Sequence, residues 1–171
     1  MVSQTRGPGA GVRYPDVVPV TAGGELDTVN RVVAEALLTW DLPKRVQRLA
    51  LPSLLYNTAD LDHMSIGLAE QPEIGGVAVA AWEEADNRDA PLRSRSVLLH
   101  GLYVTPAWQH QGLGTNLLEL AKHWTSARGF DCILVCAWRE SEAFFRARGF
   151  DYLDRAESPD RYPRRMWMAL Q

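Results

Sequence analysis

The hydrophobic period of the chain changes several times, and each change marks an element. Val17 to Val20 is a short apolar run closed by the turn residues Thr21 to Gly24, and reads as a strand. From Glu25 the spacing becomes helical: Leu26, Val29, Val33, Ala36, Leu37 and Trp40 fall on one face. Asp41-Leu42-Pro43 stops that helix, because proline disfavours helix in the residue before it. A second, shorter helix is expected over Lys44 to Leu51. Met64 to Ala69 and Gly76 to Trp82 read as two strands around Gln71-Pro72. The segment VAVAAW is apolar at both parities, which assigns it to the inside of a sheet. Residues 83–94 carry Glu83, Glu84 and Asp86 and read as a solvated loop, and the next strand runs from about Arg95 to Val104.

Leu113 opens an amphipathic helix whose stripe is Leu113, Leu117, Leu120, Ala121 and Trp124. Gly129 is placed to end it in a left-handed conformation. Cys132 to Ala137 is a fully apolar strand, so strand, helix and strand form a right-handed crossover with a parallel pair. A helix over Glu140 to Arg148 ends at Gly149, and Phe150 to Leu153 and Arg165 to Leu170 supply two closing strands. The expected fold is an α/β mixed sheet with helices on both faces. Residues 1–14 read as a loose tail and residues 15–171 as a single domain.

Composition narrows the function classes. Eighteen Lys plus Arg against 21 Asp plus Glu leave a net charge of −3, which argues against nucleic acid as the main partner. The longest apolar run is seven residues, Cys132 to Trp138, against the roughly 18 a membrane helix needs. The first residues show no apolar signal region, so the expected location is cytoplasmic. Cys132 and Cys136 lie four residues apart on one strand, about 13 Å, too far for a disulfide or a shared metal. They read as two buried thiols. His63, His100, His110 and His123 show no zinc-ligand spacing, so no metal is expected.

The chemistry concentrates in Leu102-Tyr103-Val104-Thr105-Pro106-Ala107-Trp108-Gln109-His110-Gln111-Gly112-Leu113-Gly114-Thr115. A strand runs into a glycine-bearing turn and then directly into a helix N-terminus. Such a terminus presents unpaired N–H groups and the positive end of the helix dipole, which suits a phosphate. The dinucleotide fingerprint fails because its third glycine position is Leu117, and the Walker pattern fails because no lysine follows either glycine. A tight turn with no ligand is the plain alternative.

The run Gln109-His110-Gln111-Gly112-Leu113-Gly114 resembles Q/R-x-x-G-x-G/A, the acyl-CoA pyrophosphate loop of the GNAT superfamily of N-acetyltransferases. Leu102, Val104 and Pro106 resemble the end of that family's fourth strand, and Gly149-Phe150 resembles its closing pair. The likeness covers residues 97–153. It implies a mostly antiparallel mixed sheet whose parallel fourth and fifth strands splay around acetyl-CoA. It implies main-chain contacts to pantetheine from Leu102, Tyr103 and Val104. It further implies a pyrophosphate site at the main-chain amides of His110, Gln111, Gly112, Leu113 and Gly114 with the Thr115 side chain, and Gln109 as a further cofactor-binding residue.

Acetyl transfer to an amine needs a base, because an alkyl ammonium is mostly protonated near pH 7. By alternation Leu98, His100, Leu102 and Val104 share a strand face, and His100 can titrate. The family commonly places its base on this strand. His100 is therefore the candidate base, with a structural histidine as the alternative. The family's tyrosine acid, four residues before the Gly-Phe pair, is Phe145 here, which can pack on the cofactor but donates no proton. Trp138 stands where many members carry asparagine. Arg161, Arg164 and Arg165 read as a solvated loop and strand start, and Trp40 with Asp41 as a packed helix end. Two functions remain: an N-acetyltransferase acting on a small-molecule primary amine in a direct ternary complex, or a catalytically weak acyl-CoA-binding sensor. A homodimer is open.

Overall fold

The computed structural model describes residues 17–21, 23–71, 76–86, 94–153 and 164–170. The expected tail at residues 1–14 and the segment 87–93 of the expected loop lie outside these. In chain order the elements are β1 (Val17–Pro19), α1 (Gly23–Leu37), α2 (Lys44–Leu54), β2 (Ser65–Gln71), β3 (Gly76–Glu84) and β4 (Ser96–Val104). Then follow α3 (Leu113–Ala127), β5 (Cys132–Ala137), α4 (Arg139–Arg146), β6 (Asp151–Tyr152) and β7 (Arg164–Ala169). The seven strands form one sheet in the order β1-β2-β3-β4-β5-β7-β6.

The interior strand β3 buries both of its faces, which is why it reads as continuously apolar. Val79 and Ala81 join Val29, Val32, Val33 and Tyr56 in the core under α1. Ala78, Ala80 and Trp82 join Leu117, Leu118, Ile133 and Phe145 in the core under α3 and α4. The sheet thus carries helices on both faces. Gly129 (φ 71°) and Gly149 (φ 89°) close α3 and α4 in the left-handed region.

The expected parallel pair, β4 with β5, is confined to the start of β4. β4 runs parallel to β5 over four residue pairs, from Ser96 with Cys132 to Leu99 with Val135. The strand that accompanies β4 along its length is β3, and that pairing is antiparallel. Beyond β5 the sheet is antiparallel again, with β7 inserted between β5 and β6. The reason for the short parallel stretch is a bulge. Leu99 sits opposite Trp82 and Gly101 opposite Ala81, so His100 is an extra residue without a register partner on β3. A bulge bends its strand, and no residue of β4 after Leu99 pairs with β5.

Smaller corrections have local causes. The polar residues Glu83 and Glu84 end β3 instead of starting a loop, because their ladder with Leu98 and Val97 continues. α2 extends to Leu54 through Pro52. Cys132 is buried, but Cys136 is exposed.

Candidate functional site

The loop after β4 is built to present a helix N-terminus. Pro106–Trp108 forms a single helical turn, and His110 and Gly112 then adopt positive φ, 60° and 90°. For Gly112 that conformation carries no Cβ penalty. It is the N-cap of α3 and makes no side-chain cap bond. The helical ladder begins where the Asn116 N–H donates to the Gly112 carbonyl at 3.0 Å. The amides of Leu113, Gly114 and Thr115 precede it, and the first turn contains no acidic side chain to neutralise them.

A second positive charge lies against the same turn. Arg148, just past α4, donates from Nε (3.1 Å) and Nη2 (2.6 Å) to the Thr115 hydroxyl oxygen. Its Nη1 donates to the Phe144 carbonyl at 3.0 Å, and the guanidinium lies 3.8 Å over the Phe144 ring. A guanidinium beside the positive end of a helix dipole is unfavourable without an anion between them. The pair therefore makes a candidate anion site, and sequence reasoning missed its arginine. The available signal was Arg148 next to Gly149, four residues after Phe144.

Both groups line a cleft of about 510 Å³. Its walls include Leu102, Tyr103, Val104, Gln109, His110, Gly112, Gly114, Thr115 and Phe145. Nine of the expected site residues are thus brought together, joined by Ala36, Thr39 and Trp40 from around the end of α1 and by Glu140, Ser141, Phe144 and Arg148. Two expected residues are not on the wall. The Gln111 side chain donates to the Ala107 carbonyl (3.0 Å), and Leu113 is buried in the core under α3. Gln109 lines the cleft, but its amide group clamps the loop, donating to the Val104 carbonyl (3.1 Å) and the Thr39 hydroxyl (3.2 Å).

His100 lines a smaller cavity of about 60 Å³ that shares Trp40, Leu102, Tyr103, Ser141 and Phe145 with the cleft. The bulge corrects the expected strand face. Val97 and Leu99 pack with Leu102 and Val104 under α3, so simple alternation through Leu98 and His100 does not hold. His100 Nε2 lies 2.6 Å from Glu83 Oε1, and Glu83 Oε2 lies 3.8 Å from His63 Nε2. Glu83, read from sequence as a loop charge, is therefore part of this corner.

Aromatic side chains form the rest of the wall. Phe145 is 7% exposed and meets Phe144 and Phe150 edge-on. Trp40 and Trp138 pack with centroids 5.5 Å apart and ring planes tilted by 43°, bridging the end of α1 and the end of β5. Trp40, read from sequence as a helix end, lies beyond the end of α1 at Leu37 and is a cavity wall. Tyr56 and Tyr103 form a buried phenol pair. Burial pushes the Tyr103 phenol up to about 12, and the hydrogen bond from Tyr56 partly offsets this. Burial also raises Tyr56, reinforced by the charge and hydrogen bond of Tyr103. Gly101 admits this packing, since a Cβ there would meet Tyr103 Cζ and the Tyr56 hydroxyl at 2.8 Å. Of the arginines read as solvated, Arg161 lies outside the described residues and Arg164 faces Glu142 at 3.8 Å.

Among the described residues no group of three or more His, Cys, Asp or Glu could hold a metal, and no helix is long and apolar enough to cross a membrane. Residues 63–152 match the family model described as an acetyltransferase (GNAT) domain, more than half the chain. No curated protein sequence matches. Solved structures do, at low identity. The PaiA N-acetyltransferase of Thermoplasma acidophilum, in complex with coenzyme A, is 14% identical with a TM-score of 0.67, covering 90% of this chain and 99% of that one. A GCN5-related N-acetyltransferase of Rhodopseudomonas palustris is 18% identical with a TM-score of 0.70, covering 95% and 100%. Tetrahymena GCN5 is 16% identical with a TM-score of 0.63, covering 91% and 96%.

Proposed function

Because this chain belongs to the GNAT family of acetyl-CoA-dependent acyltransferases, we propose that it acetylates the primary amine of a small molecule in a direct ternary complex. The observation that carries the reading is one continuous site. The amides of α3 and the Arg148 guanidinium flank the large cleft, and the His100 cavity adjoins it through five shared wall residues. The coenzyme A complex of the Thermoplasma acidophilum relative supports the ligand class.

The residues suit an acyl-CoA chemically. Leu113, Gly114 and Thr115 amides with Arg148 would hold the pyrophosphate. Leu102, Phe144 and Phe145 give the apolar wall that a pantetheine arm needs. Acetyl-CoA supplies an activated acetyl thioester. His100 removes the acceptor ammonium proton, leaving the amine lone pair free to attack. Phe145 has no hydroxyl, so the departing thiolate takes its proton from solvent. A thiol of ordinary pKa near 8.5 is a tolerable leaving group without a protein acid.

The test is a panel of primary amines incubated with acetyl-CoA and enzyme while free CoA thiol is followed. Amine-dependent thiol release, lost in His100→Gln with acetyl-CoA affinity retained, supports the reading. Binding of acetyl-CoA with no release for any amine supports the sensor reading instead.

A further inference from the structure

We infer that Glu83 is a positioning residue for acetyl transfer, holding the His100 imidazole so that Nδ1 is free to take the acceptor's proton. The inference rests on the assignment of His100 as base.

Two features of the fold place the pair. Trp82 packs into the core under α3, so alternation along β3 turns the next residue, Glu83, toward the other face of the sheet. The bulge at His100 breaks the alternation of β4 and re-aims that side chain. The two then meet at 2.6 Å, Nε2 to Oε1, with the His100 and Glu83 side chains 29% and 25% exposed. An ionised carboxylate only accepts, so the ring hydrogen in this contact sits on Nε2. A neutral ring with its hydrogen on Nε2 has its lone pair on Nδ1. The second carboxylate oxygen faces the more exposed His63 at 3.8 Å, so Glu83 is held from two sides when His63 is protonated.

The proton balance is simple. The acceptor ammonium gives its proton to Nδ1 and keeps the lone pair. That nitrogen bonds to the acetyl carbon as the carbon–sulfur bond breaks, the acylated nitrogen then gives its second surplus proton to solvent, and the thiolate takes one from solvent. The imidazolium, held by Glu83, returns its proton to solvent. An interaction of this kind fixes the tautomer as well as the ring orientation, and losing it elsewhere costs orders of magnitude in turnover.

Long-range ¹H–¹⁵N correlation spectra of the folded protein report which nitrogen of His100 carries hydrogen. The neutral ring of the wild type should show Nε2–H, and Glu83→Gln should lose that preference, because an amide can also offer its NH₂ to the ring. A wild-type ring with Nδ1–H would overturn the inference. Turnover is then followed with acetyl-CoA and 2-phenylethylamine as the probe amine. Glu83→Gln should lower kcat at least about tenfold, leave acetyl-CoA affinity unchanged, and add little to the loss already present in His100→Gln. Glu83→Asp, which keeps the accepting carboxylate, should recover part of the loss. Multiplying losses in the double variant would return Glu83 to a structural role. Wild-type turnover in His100→Gln would instead remove the base assignment itself.

Discussion

Removing the Arg148 guanidinium should weaken coenzyme A binding selectively at its phosphate end. The side chain makes two bonds to Thr115 in the first turn of α3, one to the Phe144 carbonyl and a stacking contact on the Phe144 ring. Its charge is thus fixed beside the unpaired amides before any ligand arrives, and little ordering entropy remains to be lost on binding. A hydrogen bond to a charged group contributes about 1.5–3 kcal/mol. Arg148 is half-buried, so solvent screens part of this. Arg148→Ala should therefore raise the Kd for coenzyme A roughly tenfold to a hundredfold. Arg148→Lys keeps the charge but loses the planar fork and should fall between. Calorimetric titration with coenzyme A and with pantetheine separates the phosphate contribution from the arm. Coenzyme A affinity should fall while pantetheine affinity holds. Equal losses for both ligands, or no loss for either, would refute an anion site at Arg148.

Three further outcomes follow from the packing around the cleft. Gly101→Ala would drive a Cβ into the Tyr103 ring and to 2.8 Å from the Tyr56 hydroxyl, costing about 1–3 kcal/mol and lowering Tm by roughly 2–12 °C in a melting scan. Alkali should destabilise the fold through Tyr103. Its folded pKa of about 12 exceeds the ordinary tyrosine value of 10.0, so the folded state binds more protons in that interval. This stability is fully present below about pH 10 and is lost as pH rises through about 12, about 3 kcal/mol in all. Denaturant midpoints measured across that range should fall, and should fall less in Tyr103→Phe. Phe145 lines both cavities, so Phe145→Tyr offers the departing thiolate a proton and should raise kcat by less than the ~10²-fold typical of a shaped acid. A lower kcat with normal acetyl-CoA affinity would show that thiolate departure does not limit the rate.

The parts of the site written in local pattern were legible from the residues alone. The two loop glycines next to an apolar helical stripe announce a tight turn into a helix start, and Gly112 and α3 stand where that pattern puts them. The apolar run at β3 marks a strand covered on both faces. What escaped depends on register between distant strands. Alternation along β4 cannot reveal an unpaired residue at His100, because the bulge exists only relative to β3. The Glu83 contact with His100 spans 17 residues, and the Arg148 contact with Thr115 spans 33. Each of these charges looks like a solvated surface group in its own neighbourhood. Trp40 and Trp138 likewise read as a helix end and a post-strand residue, and only the fold makes them one wall.

The claim on which the account rests is that the Gly112–Thr115 helix start and Arg148 together hold an acyl-CoA. The most direct measurement is the thermal midpoint with and without acetyl-CoA for the wild type and Gly114→Glu. A Cβ at Gly114 would meet Leu102 and Phe144 at ordinary distances of 3.5–3.6 Å, so the backbone tolerates a side chain there. The glutamate would instead bring a negative charge to the amides of α3. At acetyl-CoA about 100-fold above its Kd, linkage adds roughly 2.7 kcal/mol, a rise of roughly 5–11 °C in the wild type. That rise should appear in the wild type and be lost in a Gly114→Glu protein that still melts cooperatively. An equal rise in both proteins, or none in the wild type, would contradict the claim.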